Sequence, residues 1–252
     1  MCPSSPATKD TAARRGERGF TLIELAVVML ILGILLGGLL VPLSTQIEQR
    51  RITETQRALN DAREALLGFA MANGRLPCPA DPVVASGSTN AGKERVSCTT
   101  GSDMHGVLPW ATLGLPETDA WGRRFTYRVT GIYADLPTSN TTGCADTPMQ
   151  SSYALCSEGD IHVCAASPCD STSPPFLADV LPVVMVSHGK NGAGAWLSTG
   201  AQLAGAAGDE AENSDVDRYF ISHPQTPGFD DLVVWIPNSI LKSRTVAAAR
   251  LP

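Results

Sequence analysis

Glu24 is a carboxylate in an expensive place. Residues 20–43 form an apolar run of 24 residues, and Glu24 is the single charge in it. On insertion scales an acidic residue at mid-membrane costs roughly 2.5–3.5 kcal/mol, and such residues have a partner and a task. The chemistry open to Glu24 is charge pairing. Elsewhere the chain lacks a G-x-S-x-G elbow, H-E-x-x-H, a Walker A loop and a G-x-G-x-x-G after a strand. Ser187 and His188 adjoin at the end of an apolar strand pattern, but neighbours on a strand point to opposite faces. They make no dyad by adjacency, and no residue is assigned a catalytic role.

A second set of oxygen ligands follows. The stretch 187–194 is glycine-rich and leads on to Asp209, Glu210, Glu212, Asn213, Ser214, Asp215 and Asp217. Carboxylates gathered in a glycine-rich loop suit calcium, which takes six to eight oxygens in flexible geometry. The competing reading, a solvated acidic loop, is adopted, and no metal ligand and no cofactor are assigned.

The elements that position these groups follow from periodicity. Past the apolar run, Ile52, Thr55, Leu59, Ala62, Leu66 and Phe69 recur at alternating spacings of three and four and mark one face of a helix. Glu48, Arg51, Glu54, Arg57, Asp61 and Glu64 mark the opposite, solvated face. Asn73-Gly74 stops the helix, and Pro77 and Pro79 cannot continue it. The expected helix, 20–73, is 54 residues, or about 80 Å at the α-helical rise. Pro42, with Gly33, Gly37 and Gly38 upstream, marks a place for a kink. Residues 85–103 read as loop. Asp119–Val129 reads as a turn feeding a strand, with Phe125, Tyr127 and Val129 alternating. Tyr153–Leu155 and Ile161–Val163 suggest a small hairpin. Val180–Val186, interrupted by Pro182, and Leu232–Ile236 read as further strands, and residues 189–208 as a long loop. Ile240, Leu241 and Val246 give the tail a helical pattern.

The segment from Arg18-Gly19-Phe20 through Glu24, fifth residue after the glycine, resembles the class III leader of type IV prepilins and type II secretion pseudopilins. That resemblance is specific over residues 14–45. It implies that a prepilin peptidase cuts between Gly19 and Phe20 and methylates the new amino terminus of Phe20. It implies that Glu24 serves assembly by neutralising the amino terminus of a neighbouring subunit. The 119–129 segment is similar to the Asp-x-Trp-Gly-x-x-Tyr-x-Tyr stretch of major pseudopilins, with Phe125 in place of the first tyrosine. Those proteins also have a calcium loop in about the place of 187–217. Here Asn191 stands where an aspartate is common, and some 17 residues separate it from the acidic run.

The expected organisation is a leader (1–19), the transmembrane and assembly half of the helix (20–43), its amphipathic half (44–74) and a globular periplasmic head (75–252). The expected fold class is α+β: a long amino-terminal helix packed on an antiparallel β-sheet head, as in pilins. About 20 apolar residues suffice to cross a bilayer, whereas a signal peptide has a shorter core and a small-residue cleavage site. Lys and Arg flank the run on both sides in near balance, so charge alone does not orient it. The resemblance and the cysteines put the leader inside and the head in the periplasm, giving a single-pass inner-membrane protein. The implied partners are prepilin peptidase, other pilin or pseudopilin subunits, an inner-membrane assembly platform and the membrane.

The whole chain carries −6, and the leader, with four basic residues against Asp10 and Glu17, carries +2, leaving −8 on the remainder. An acidic product without a basic cluster speaks against nucleic acid as a partner. Cys2 falls in the leader. Cys78, Cys98, Cys144, Cys156, Cys164 and Cys169 remain, an even number suited to disulfides in an oxidising compartment. Cys78 and Cys98 are expected to pair; the pairing of the other four stays open. Zinc on His162, Cys164, Cys169 and Cys156 is the sharper alternative, disfavoured because no C-x-x-C is present. The resulting functional expectation is a non-enzymatic filament subunit. The rival is a membrane-anchored periplasmic binding module that never polymerises and uses the 130–175 region as a ligand surface.

Overall fold

The computed structural model describes residues 19–98, 101–136, 150–172 and 175–251, with the side chains of 36–43 outside the described set. Cys2, Cys144 and the leader to Arg18 lie outside it as well. Helix α1 runs Leu22–Asn73. Its stop is as expected, because Gly74 adopts φ +69°, a conformation that favours glycine. The chain divides into two compact units, residues 1–48 and 49–252.

In the first unit every described side chain from Gly19 to Leu35 is exposed. Leu22, Ile23, Leu30 and Ile34 are among the large apolar residues left uncovered. A helix that is apolar all round is built for an apolar surrounding. Among the described residues no helix is long and apolar enough to cross a membrane; the expected span, 20–43, ends in the side chains that are not described.

In the second unit α1 turns amphipathic. Thr55, Leu59, Ala62, Leu66, Leu67 and Ala70 are buried, while Arg51, Glu54, Arg57, Asp61 and Glu64 are exposed. The buried stripe meets a four-stranded antiparallel sheet. The elements after α1 are β1 (His105–Val107), α2 (Trp110–Leu113), β2 (Arg123–Arg124), β3 (Thr126–Val129) and α3 (Gly131–Ala134). There follow β4 (Ile161–Cys164), β5 (Ala178–Leu181), β6 (Val183–Ser187), β7 (Trp196–Leu197), α4 (Asp209–Ser214), β8 (Tyr219–Ile221), β9 (Leu232–Ile236) and α5 (Asn238–Ala247).

The main sheet has the order β1-β3-β6-β9, and β2 and β7 form a small ribbon. Strand alternation divides its side chains. Tyr127, Val129, Val183, Met185 and Ile236 join Leu59, Leu66 and Leu67 of α1 in the main core. Val184, Val186, Val233 and Trp235 face the other way, onto Ile161, Val163, Leu181 and Phe220. That second core belongs to a three-stranded sheet, β5-β4-β8, in which β4 runs antiparallel to β5 and parallel to β8. The fold is α+β, with the main sheet antiparallel as expected and a second, mixed sheet adding one more layer than expected.

Two local readings change. No hairpin joins Tyr153–Leu155 to Ile161–Val163, because β4 takes its partners from β5 and β8 instead. Pro182 is more than an interruption: having no N–H to give a ladder, it separates β5 from β6, and the two strands enter different sheets. The turn before β2 is fixed by Asp119, whose Oδ1 accepts the N–H groups of Trp121 (2.9 Å) and Arg123 (3.0 Å). The N–H of Ala120 reaches Thr55 Oγ1 on α1 at 3.3 Å, joining this turn to the helix.

Candidate functional site

Gly19, Phe20 and Glu24 gather where α1 begins. Thr21 Oγ1 accepts the N–H of Glu24 at 3.3 Å, a capping interaction that satisfies one free donor of the first turn. Glu24 lies in that first turn, where the helix dipole favours a negative charge. Phe20 is 79% exposed. The arrangement presents an accessible Gly19–Phe20 peptide and, one helical turn on, an exposed carboxylate amid uncovered apolar side chains.

The described cysteines are paired. Cys78 bonds to Cys98 and Cys164 to Cys169, and Cys156 is also disulfide-bonded. The zinc set does not assemble: its thiols are oxidised, and His162 Nδ1 is engaged by Asp179 at 2.5 Å. Serine 187 and His188 turn to separate partners. Ser187 Oγ donates to Asp119 Oδ2 at 2.7 Å, while His188 Nε2 meets Thr126 Oγ1 at 2.8 Å.

The head also holds a constellation that the sequence reading treated as solvated. Glu210 and Asn213 on α4 are buried, at 4% and 0% exposure. With Asp230 and Asp231, just before β9, Glu210 forms a group whose ligand oxygens lie within 4.8 Å of one another. The glycine-rich turn after β6 closes over it. Gly189 adopts φ +51°, and a Cβ there would strike the carbonyl and carboxylate of Asp230. Asn213 Nδ2 donates to Asp231 Oδ2 at 2.9 Å, and Asn213 itself is pinned to both backbone groups of Ile221. Oδ1 of Asp230 and Oδ1 of Asp231 are buried with no hydrogen-bond partner among the described residues.

Burial, with Glu210 and Asp230 beside it, pushes Asp231 up to about 8 despite its bond from Asn213. Burial likewise raises Asp230. His188 Nδ1 stands 3.8 Å from Asp231 Oδ2, but burial drives His188 down to about 3. His188 is therefore neutral near pH 7, and the contact is not an ion pair. Nearby, burial and the carboxylates of Asp217, Asp215, Asp170 and Asp209 push Glu212 up to about 7. Three converging carboxylates, two of them with an unpartnered buried oxygen, fit a hard divalent cation, which prefers oxygen donors.

A family model described as the prokaryotic N-terminal methylation motif matches residues 14–40. The chain carries the type IV pilin and pseudopilin signature. No curated protein and no solved structure matches it. The signature is that of pilin-like substrates of prepilin peptidase, structural subunits that assemble with other pilins. The match spans Gly19, Phe20 and Glu24, the residues on which the resemblance rests. Asp230 and Asp231 were not included in the acidic group read from the sequence.

Proposed function

We propose that this chain is a pilin-like structural subunit, cut after Gly19, methylated on Phe20, and assembled into a type II secretion pseudopilus or a type IV pilus. Before assembly it resides in the inner membrane through residues 20–43, with its head in the periplasm and an assembly platform as partner. The observation that carries this reading is Glu24, an exposed carboxylate in an otherwise apolar helix within the matched motif. After cleavage the amino terminus of Phe20 is a positive charge that is costly to bury unpaired. A neighbouring subunit's Glu24 neutralises it as two helices slide together, so the pair sets axial register as well as favouring assembly.

The test is Glu24→Ala, compared with wild type by separating sheared filament from membrane-retained subunit. The variant is expected to be inserted and cut normally but to enter filaments poorly, with Glu24→Asp milder. Equal entry of Glu24→Ala into filaments would favour the rival, a non-polymerising anchored module. A second reading concerns the head: Glu210, Asp230 and Asp231 hold a calcium-like cation that ties α4 to the start of β9. The unpartnered buried oxygens of Asp230 and Asp231 favour it.

A further inference from the structure

The carboxylate group already has a resident donor. Asn191 Nδ2 lies 2.9 Å from both oxygens of Glu210. Its own Oδ1 accepts the N–H of Ala193 at 2.8 Å, which fixes the amide with the NH2 end toward Glu210 and the oxygen turned away. The backbone N–H of Asn191 donates to Asp230 Oδ2 at 2.9 Å. One residue thus engages two of the three carboxylates, and it does so through donors only. The turn that delivers it is closed by the N–H of Gly192 on the carbonyl of His188 at 2.9 Å. Arg123 Nη1 holds it from outside through the carbonyl of Gly189 at 2.6 Å.

We propose that the Asn191 side-chain amide is a cap that competes with a divalent cation for Glu210, and not a ligand to that cation. This rests on the cation reading of the head given above. A cation accepts only oxygen, sulfur or nitrogen lone pairs, and an amide NH2 offers none. For a metal to take both oxygens of Glu210, the two bonds from Asn191 must break, leaving the N–H of Asp230 on Oε1 at 2.9 Å. The amide oxygen does not stand ready to replace them, since it is held by Ala193. Asp230 and Asp231 each keep a buried oxygen, Oδ1, with no hydrogen-bond partner among the described residues, and Asp231 is only 3% exposed. Asp230 and Asp231 would therefore receive the ion first, and Glu210 would join only once uncapped. The consequence is a site whose affinity is held down by its own loop.

The sign of one substitution separates cap from ligand. Calcium is titrated calorimetrically into the full-length chain in detergent, as wild type, Asn191→Ala and Glu210→Gln. The cap predicts that Asn191→Ala binds calcium at least tenfold more tightly than wild type and that Glu210→Gln loses most of the binding. Weaker or equal binding by Asn191→Ala overturns the cap while leaving the cation site in place. Absence of calcium binding in all three proteins overturns the cation reading itself, and the cap with it. Circular dichroism checks that Asn191→Ala is folded. Should it fail, Asn191→Asp, which removes the donor without shrinking the side chain, takes its place. Failure of that variant to bind more tightly than wild type likewise overturns the cap.

Discussion

His105 makes the head's stability depend on pH in a calculable way. It is 7% exposed on β1, and its Nε2 has no partner among the described residues. Arg128 lies opposite it on β3, Arg95 donates to its carbonyl, and the buried His188 is near enough to be felt. Burial first, then the charges of Arg128 and Arg95, lower it from 6.5 to about 4. The folded value is below the unfolded one, so this group's contribution is fully present above pH 6.5 and is lost as pH falls toward 4. Between pH 7.5 and 4.5 the unfolded chain binds a proton that the folded head refuses. That difference costs the fold about 2–3 kcal/mol. His105→Gln removes the proton site and keeps a polar side chain of similar length. Urea melts of both proteins at the two pH values, followed by tryptophan fluorescence with chelator present, isolate the effect. Other titrating groups are common to the two proteins and cancel in the comparison. Wild type is expected to lose about 2–3 kcal/mol more than His105→Gln on acidification. An equal loss in the two proteins would refute the reasoning, because His105 would then titrate alike in folded and unfolded chains.

Two further outcomes follow from packing and cross-linking. Replacing both Cys78 and Cys98 by serine should cost about 3 kcal/mol on the chain-entropy model, since the bridge closes a loop with a sequence separation of 20; denaturant melts of oxidised wild type and the double variant check this. Arg124 is fully buried, pairs with Glu117, donates to the carbonyls of Pro82 and Ser198 and lies 4.7 Å over the ring of Trp110. Arg124→Ala should therefore cost about 3–5 kcal/mol by stranding Glu117 and those carbonyls, and Arg124→Lys should not restore it, for lack of the planar fork; thermal melts of both variants test the pair.

The parts of the fold that were legible in the sequence are those set by local pattern. The helical face from Thr55 to Leu66, the stop at Asn73-Gly74, and the alternation through Phe125, Tyr127 and Val129 each carry their own period. The pairing of β4 was not legible. Its partners β5 and β8 lie later in the chain, beyond the loop after Cys164, and nothing in Ile161–Cys164 names them. Instead a nearby apolar triplet, 153–155, suggested a hairpin. Likewise Pro182 signalled a break without revealing that the two halves serve different sheets. At the amino terminus the motif was readable because Gly19, Phe20 and Glu24 lie within a few residues of one another. The acidic group of the head was not, because Glu210 and Asp230-Asp231 converge only once α4 packs on β8, beside the segment that enters β9. The Asn191 cap was further hidden: whether an asparagine offers its oxygen or its NH2 to a site depends on the turn that holds it.

The account stands most directly on the peptide bond between Gly19 and Phe20. The full-length chain, produced in a host with an active prepilin peptidase, is measured by intact mass and amino-terminal fragmentation. The account predicts a mature chain that begins at Phe20 and carries one added methyl group on its amino nitrogen. A chain that stays uncut beside active peptidase, or that begins at any other residue, would contradict it.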